Sequence, residues 1–416
     1  MSAKQLFVGI DVANVKVDVT FLDGEARTVR PQATYANDPE GWPALRTAVV
    51  AAASLLGART KVVCGMEATG NMHKRLEQAL RAEKRRKLEV HVLNPRAVKS
   101  FAKALLTSAK TDRGDSHLIA LFLMRMKPAP AAPVPELFEE FREATRTRRR
   151  LVEERTDAKN RLHKLLRYHF PGYRKTLAKH LSKGLLVALN ALPSPHLVLG
   201  AAPGEIAAIS YGTRHRVGAP LEEKLRTLAA QAPRADLPKL TQMLLRTTAR
   251  RILDLDELIV EMDDGLADML EQLFPGQVLT SIPGLGAVSA AAILAEICDI
   301  ARFQSKTDFI GYCGLYPVVW ESGEAKRRYR MTTKGNRMIK MTLLIASAAA
   351  RQYNPAIAAY YERLRARGKS TKAAGGAIAR KLAEIVFTLL VRNEPWSPEK
   401  ATAGLAKSLA MTEAKV

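Results

Sequence analysis

The sequence predicts an α/β domain followed by an all-α remainder. Three observations carry this fold class. Short apolar strands alternate with helical patterns up to about residue 125. A proline-rich run, Lys127-Pro128-Ala129-Pro130-Ala131-Ala132-Pro133-Val134-Pro135, then breaks the chain with a semi-rigid spacer. Beyond it the apolar residues recur every three or four positions, the helical period. The expected organisation is an α/β domain over 1–126, a linker over 127–135, and a helical coiled-coil or dimerisation region over 136–275 with an unassigned stretch at 171–220. A small, mostly helical domain over 276–395 and a flexible tail over 396–416 complete it.

A chain of 416 residues has length for about two to four domains and an ample core. Its 47% hydrophobic and 25% charged residues fit a soluble globular profile. The net charge of +24 far exceeds what solubility requires and calls for a polyanionic partner. No run approaches the length of a membrane span, and MSAKQLFVGIDV does not read as a signal peptide. The expectation is therefore nucleic acid rather than a membrane, in the cytoplasm and close to the nucleoid. Cys64, Cys298 and Cys313 have neither disulfide nor zinc spacing and read as reduced core residues.

In chain order, Gln5 to Asp11 is a buried strand ending on an acid, and Val15 to Leu22 alternates with period two before an Asp23-Gly24 turn. Asp38-Pro39 has the form of an N-cap and first helical residue. Lys61 to Met66 is a strand with Glu67 just past its end, and Asn71 to Ala82 is helical. Leu88 to Leu93 is a strand broken by Asn94-Pro95, and a helix follows to about Leu105. In Lys110-Thr111-Asp112-Arg113-Gly114-Asp115, Thr111 can cap a helix whose first turn carries Asp112 and Asp115 on one side. Acids in a first turn also suit the helix dipole, so ordinary capping is a sufficient reading of this stretch alone.

Asp11 and Glu67 at strand ends change its standing, because sites in open α/β sheets form where strands end. Four carboxylates converging on one pocket repel each other unless cations neutralise them. Hard ions such as Mg²⁺, or Mn²⁺, take carboxylate and phosphate oxygens together. A pair of such ions clamps the attacking and leaving oxygens of a phosphodiester. Gly9-Ile10-Asp11 also matches the opening strand of actin-like sugar kinases, but Val12-Ala13-Asn14-Val15-Lys16 lacks the glycines of a phosphate-gripping turn.

After the linker, Leu137, Phe141, Ala144, Leu151, Ala158, Leu162 and Leu165 follow a heptad-like spacing with basic interruptions. Arg146-Thr147-Arg148-Arg149-Arg150 is either a solvated face or a polyanion contact. A second run spans Leu245, Ile252, Leu255, Ile259, Met262, Leu266, Met269 and Leu273. The two arms can pair antiparallel within one chain or between chains. The narrow seam favours a partner chain.

In the last domain, Ser281-Ile282-Pro283-Gly284-Leu285-Gly286 opens an apolar helix, as in helix-hairpin-helix DNA binders. Gly284 and Gly286 would expose backbone N–H groups to a phosphate, although a tight turn alone explains them. Aromatic and basic residues then interleave through Tyr316, Trp320, Lys326, Arg327, Arg328, Tyr329, Arg330, Lys334, Arg337 and Lys340, as nucleic-acid surfaces do. Ser322 sits in a turn beside Gly323. Such a serine is usually structural. As a nucleophile it needs a base or metal, and the acidic site is the available activator.

Taken together and in order, these motifs resemble the bacterial insertion-sequence transposases described as bridge-RNA-guided recombinases. The resemblance rests on Gly9-Ile10-Asp11, Met66-Glu67-Ala68-Thr69-Gly70 and Lys110–Asp115, then Ser281–Gly286, Gly314-Leu315-Tyr316-Pro317, Glu321-Ser322-Gly323 and Lys334-Gly335-Asn336. It implies a RuvC-like, ribonuclease-H-like N-terminal domain in which Asp11, Glu67, Asp112 and Asp115 bind Mg²⁺. It also implies Ser322 as the nucleophile that forms a covalent phosphoserine link to DNA. The implied partners are donor and target DNA, a structured noncoding guide RNA, and further copies of the chain in a dimer or tetramer. Two other readings stand beside it: a RuvC-like structure-specific nuclease using metal-activated water, and a non-enzymatic nucleic-acid binder.

Overall fold

A computed structural model describes residues 4–68, 70–105, 112–130, 134–177, 181–232, 236–320 and 328–399, without the side chains of 112, 113, 319, 320 and 328–330. The chain divides into two compact units, Met1–Pro133 and Val134–Val416.

In the first unit β1 (Gln5–Val12), β2 (Lys16–Asp23) and β3 (Thr28–Ala36) form an antiparallel meander. Helix α1 (Gly41–Leu56), β4 (Lys61–Glu67), α2 (Met72–Arg81), β5 (Leu88–Leu93), α3 (Pro95–Ala104) and α4 (Asp112–Met126) follow. The sheet order is β3-β2-β1-β4-β5, with β4 parallel to both β1 and β5. Alternation sorts the strand residues onto two faces. Leu6, Val8, Ile10, Val62, Cys64 and Met66 pack with Leu45, Val49, Leu76 and Leu80 of α1 and α2. Phe7 and Val63 pack with Ile119, Ala120 and Leu123 of α4.

Two details depart from the sequence reading. The edge strand β3 was not anticipated, because TVRPQATYA is largely exposed and carries a proline. Helix α1 starts at Gly41, and Asp38 precedes it while accepting from the Glu40 and Gly41 N–H groups at 3.1 and 2.7 Å.

In the second unit α5 (Glu136–His169) is followed by α6 (Tyr173–Thr176), α7 (Lys183–Ala191), α8 (Pro195–Gly200), α9 (Glu205–Ala208) and α10 (Ala219–Ala230). Next come α11 (Lys239–Leu273), α12 (Ala287–Ile297), α13 (Lys306–Cys313), the antiparallel pair β6 (Pro317–Trp320) and β7 (Arg328–Met331), α14 (Arg337–Tyr353), α15 (Pro355–Ala366) and α16 (Thr371–Arg392).

The long helices α5 and α11 pair antiparallel within the chain. Arg148 meets Asp263, Arg155 meets Asp256, and Glu154 meets Arg251, so one helix ascends as the other descends. The apolar seam that pointed to a partner chain is thus filled in cis. At one end of the pair Leu162, Leu166, Leu245 and Ile252 join the residues of α6 to α10 in a separate core. The described residues of 171–220 therefore form a helical cap on the arm. At the other end Phe141, Leu266 and Leu270 enter the core of α12 to α16. Arm and last domain thus share one core. Trp396 packs on that core and its backbone N–H donates to the Ser281 hydroxyl at 2.8 Å, so the chain just past Pro395 is anchored.

Candidate functional site

The sheet register brings Asp11 and Glu67 side by side. Ile10 pairs with Met66 in the parallel β1–β4 ladder, so the next residue on each strand is an acid on the same face. That face is the one covered by α4. Two positions before each acid stands a glycine, Gly9 on β1 and Gly65 on β4. A Cβ on Gly9 would meet the Ser116 carbonyl oxygen at 2.0 Å and the Ala120 nitrogen at 2.5 Å. A Cβ on Gly65 would meet Leu123 at 2.7 Å. Only glycines let α4 lie this close to the strands, and this contact carries the first turn of α4, with Asp115, towards the strand-end acids.

Ser116 pins that turn. Its buried hydroxyl lies 2.9 Å from Thr20 Oγ1 and accepts from Gln32 Nε2 at 2.8 Å. Asp18, opposite Asp11 in the β1–β2 ladder, is buried, accepts from the Thr34 hydroxyl and pairs with Lys16 Nζ at 3.0 Å. A polar layer on β2 and β3 therefore extends outward from the acids. Sequence reading missed it because Thr20, Gln32 and Ser116 carry no motif.

The electrostatics agree with this juxtaposition. Half-buried Glu67 is pushed above the usual carboxylate range, first by loss of solvent and then by the charges of Asp11 and Asp115. Glu67 thus lies within electrostatic reach of two of the other three predicted acids. The side chain of Asp112 lies outside the described residues, although its backbone begins α4. Among the described residues no three ligating side chains already stand at distances to hold one ion. Carboxylate oxygens, the donors that Asp11, Glu67 and Asp115 offer, suit a hard divalent cation.

In the second unit the structure gathers a different set. Gly314 and Gly335, both at positive φ (68° and 96°), cross at the base of the β6–β7 ribbon. A Cβ on Gly335 would stand 2.5 Å from the Gly314 Cα. Thr332 N–H donates to the Tyr316 carbonyl and Asn336 N–H to the Tyr312 carbonyl, closing the base. Asn336 caps α14, accepting from Ile339 N–H at 3.1 Å. Its amide donates to Glu296 at 2.7 Å and to the Tyr312 hydroxyl at 3.1 Å.

Glu296, only 2% exposed, also takes both forks of Arg146 at 2.7 and 3.0 Å. This buried acid sits inside an apolar run, Ala290 to Ile297, and sequence reading passed over it. Only its interruption of that run could have signalled it.

Ser322, Lys326 and Arg327 lie outside the described residues, as do the side chains of Arg328 and Arg330. Lys334 and Arg337 are exposed at the ribbon base and the start of α14. The Lys340 ammonium turns inward and donates to the Thr332 carbonyl. Gly284 has a packing role: a Cβ there would meet Ala350 of α14 at 2.4 Å. Gly286 is the N-cap of α12, with open space around its Cα. The Arg146–Arg150 cluster is not a bare cationic face. Arg148 holds Asp263, Arg149 holds Glu153 and Arg150 holds Glu143.

The same two regions are the ones that match known proteins. A transposase family model of the IS110 DEDD type matches residues 8–171, and a model of the transposase IS116/IS110/IS902 family matches 276–362. Together they span more than half of the chain. The chain belongs to the IS110/IS116/IS902 transposase family.

Among its relatives, an uncharacterized 44.8 kDa protein of insertion element IS116 from Streptomyces clavuligerus is 24% identical over 73% of this chain and 76% of its own. A mini-circle protein of Streptomyces coelicolor, named as the candidate transposase for IS117, is 26% identical over 97% of this chain and 98% of its own. The transposase for insertion sequence element IS1111A of Coxiella burnetii is 28% identical over 35% of this chain and 41% of its own. This transposase is accordingly a DNA-recombining enzyme with DNA as its substrate. No helix among its described residues is long and apolar enough to cross a membrane.

Proposed function

We propose that this transposase cleaves and exchanges DNA strands through a phosphoserine link at Ser322, assisted by the acids of its N-terminal sheet. The observation that carries the reading is the parallel register that sets Asp11 beside Glu67, on the face where Gly9 and Gly65 admit α4 with Asp115 in its first turn. A purely structural role gives no reason to crowd like charges at a strand end. The sheet order supports the ribonuclease-H-like, RuvC-like assignment of that unit. Asp11, Glu67, Asp112 and Asp115 would hold Mg²⁺ or Mn²⁺, which when bound offsets developing charge on a phosphodiester.

In the reaction Ser322 Oγ forms a bond to phosphorus as one P–O bond of the strand breaks. The serine proton leaves with a base and the departing hydroxyl oxygen gains one. The exchange conserves phosphodiester count, so the link can be resealed onto a second strand. The Gly314–Gly335 crossing and the Asn336 cap fix the base of the ribbon whose intervening residues include Ser322. A structured noncoding RNA that selects donor and target DNA by base pairing belongs to the same reading, as does action in a dimer or tetramer. The charge of +24 supports the nucleic-acid partners.

The test is a denaturing gel with labelled DNA and Mg²⁺. A protein–DNA adduct that is lost in Ser322→Ala is expected, and Asp115→Asn should lose it as well. Cleavage that persists in Ser322→Ala without an adduct would replace this reading with a nuclease using metal-activated water.

A further inference from the structure

An open pocket of about 460 Å³ lies between α5 and the start of α14, lined by Arg146, Arg149, Arg150, Glu296, Asn336 and Arg337 among others. We propose that this pocket grips backbone phosphates of the DNA strand that flanks the reacting phosphodiester, with Arg149, Arg150 and Arg337 as the contacts. The inference rests on the proposed role of the β6–β7 ribbon.

The six side chains divide by their partners. Arg146 and Asn336 are committed to buried Glu296 and form the wall. Arg337 makes no ion pair among the described residues and is exposed at the first position of α14. Among the described residues Arg149 pairs with Glu153, and Arg150 pairs with Glu143 and donates to the Thr147 hydroxyl at 2.7 Å; the two carboxylate side chains are about half exposed (51% and 52%). Such surface pairs are weak, so a phosphate can displace either carboxylate at little loss. Arginine suits that exchange, because its planar fork takes two phosphate oxygens at once.

Asn336 caps the Ile339 N–H, while the N–H groups of the first turn of α14 point out of the helix end. They add donors to a site that the arginines define. The location favours DNA. Asn336 and Arg337 follow directly on Gly335, which is crossed with Gly314 at the ribbon base. A strand entering the ribbon passes this wall. The Arg146–Arg150 cluster thus has two functions: Arg146 and Arg148 hold the protein together at Glu296 and Asp263, and Arg149 and Arg150 are left to exchange partners.

The experiment compares Arg149→Ala/Arg150→Ala/Arg337→Ala with a charge-matched control, Arg59→Ala/Arg214→Ala/Lys224→Ala, whose residues are exposed and scattered. Binding of a fluorescent duplex DNA and of a hairpin RNA is followed by anisotropy from 50 to 300 mM salt. Thermal melts confirm that all proteins fold. The pocket variant should lower the slope of log K against log salt on DNA by roughly two to three. Equal slope changes in the two triple variants would overturn the proposal. A loss confined to RNA would overturn the DNA assignment. Ser322→Ala should keep the wild-type slope, so failure of the serine chemistry and failure of the pocket are read separately. At saturating protein the pocket variant should recover the Ser322 adduct, because it keeps the nucleophile.

Discussion

Gly9 lies directly beneath Ser116, so close that a single methyl on Gly9 would overlap the Ser116 carbonyl. The residue two places along the strand from Gly9 and the residue just before Ser116 are both carboxylates. Packing in the sheet layer and placement of the acids are therefore one constraint.

Gly9→Ala should force α4 away from the sheet. The expected cost is about 1–3 kcal/mol from overpacking. Strand cleavage should fall further than that stability loss explains, since Asp115 moves with α4. A melt and a cleavage assay on the same preparation check this, and an active, fully stable variant would contradict the packing argument.

Ser116→Ala leaves the helix in contact but removes its tie to Thr20 and Gln32. The stability loss should be about 1–2 kcal/mol. If Ser116 aims Asp115, half-saturation by Mg²⁺ should rise about 10- to 100-fold, the usual effect of losing a supporting partner. Titrating activity with Mg²⁺ separates the two effects.

Glu67 gives a pH prediction with a definite sign. Its folded pKa lies above its unfolded one, so the native state binds the proton more tightly. Stability from this group is full below the ordinary carboxylate pKa and is lost as pH rises through the elevated value. Without divalent ions, Glu67→Gln should flatten that decline and melt higher than wild type near neutrality, while losing activity. Adding Mg²⁺ should raise the melting temperature of the wild type and leave the variant unmoved. Scanning calorimetry at several pH values decides it.

Asn336→Asp changes one nitrogen to oxygen and places a second carboxyl against Glu296, where the amide now donates at 2.7 Å. The variant should lose about 1–3 kcal/mol, as expected when a buried acceptor loses its donor and meets like charge. The repulsion should ease on acidification, as one of the two carboxyls takes a proton. A variant as stable as wild type at neutral pH would show that the Glu296 contact does not hold the start of α14.

Much of the architecture was legible because alternation and helical spacing report burial. Lys61–Glu67, Leu88–Leu93 and the helix Pro95–Ala104 stand within a residue or two of where their patterns put them. What stayed hidden depends on partners distant in sequence. An exposed polar strand such as Thr28–Ala36 has no apolar alternation to read. A heptad seam is the same whether its partner is another chain or residue 263 of its own. The arginine cluster gave its charge but not its carboxylates, which come from α11 and α12 as well as α5. For the acids, strand ends could be counted in sequence. The reason they meet, two glycines that admit α4, needed the sheet register.

The length of α5 has a mechanical consequence. Its 34 residues make a rod of roughly 50 Å, braced along its length by α11. One end is embedded in the cap and the other holds Glu296 through Arg146. Tilting such a lever by about 5° displaces its far end by about 4 Å, more than a hydrogen bond survives. Whatever seizes the cap therefore has leverage over the Asn336 corner without touching it.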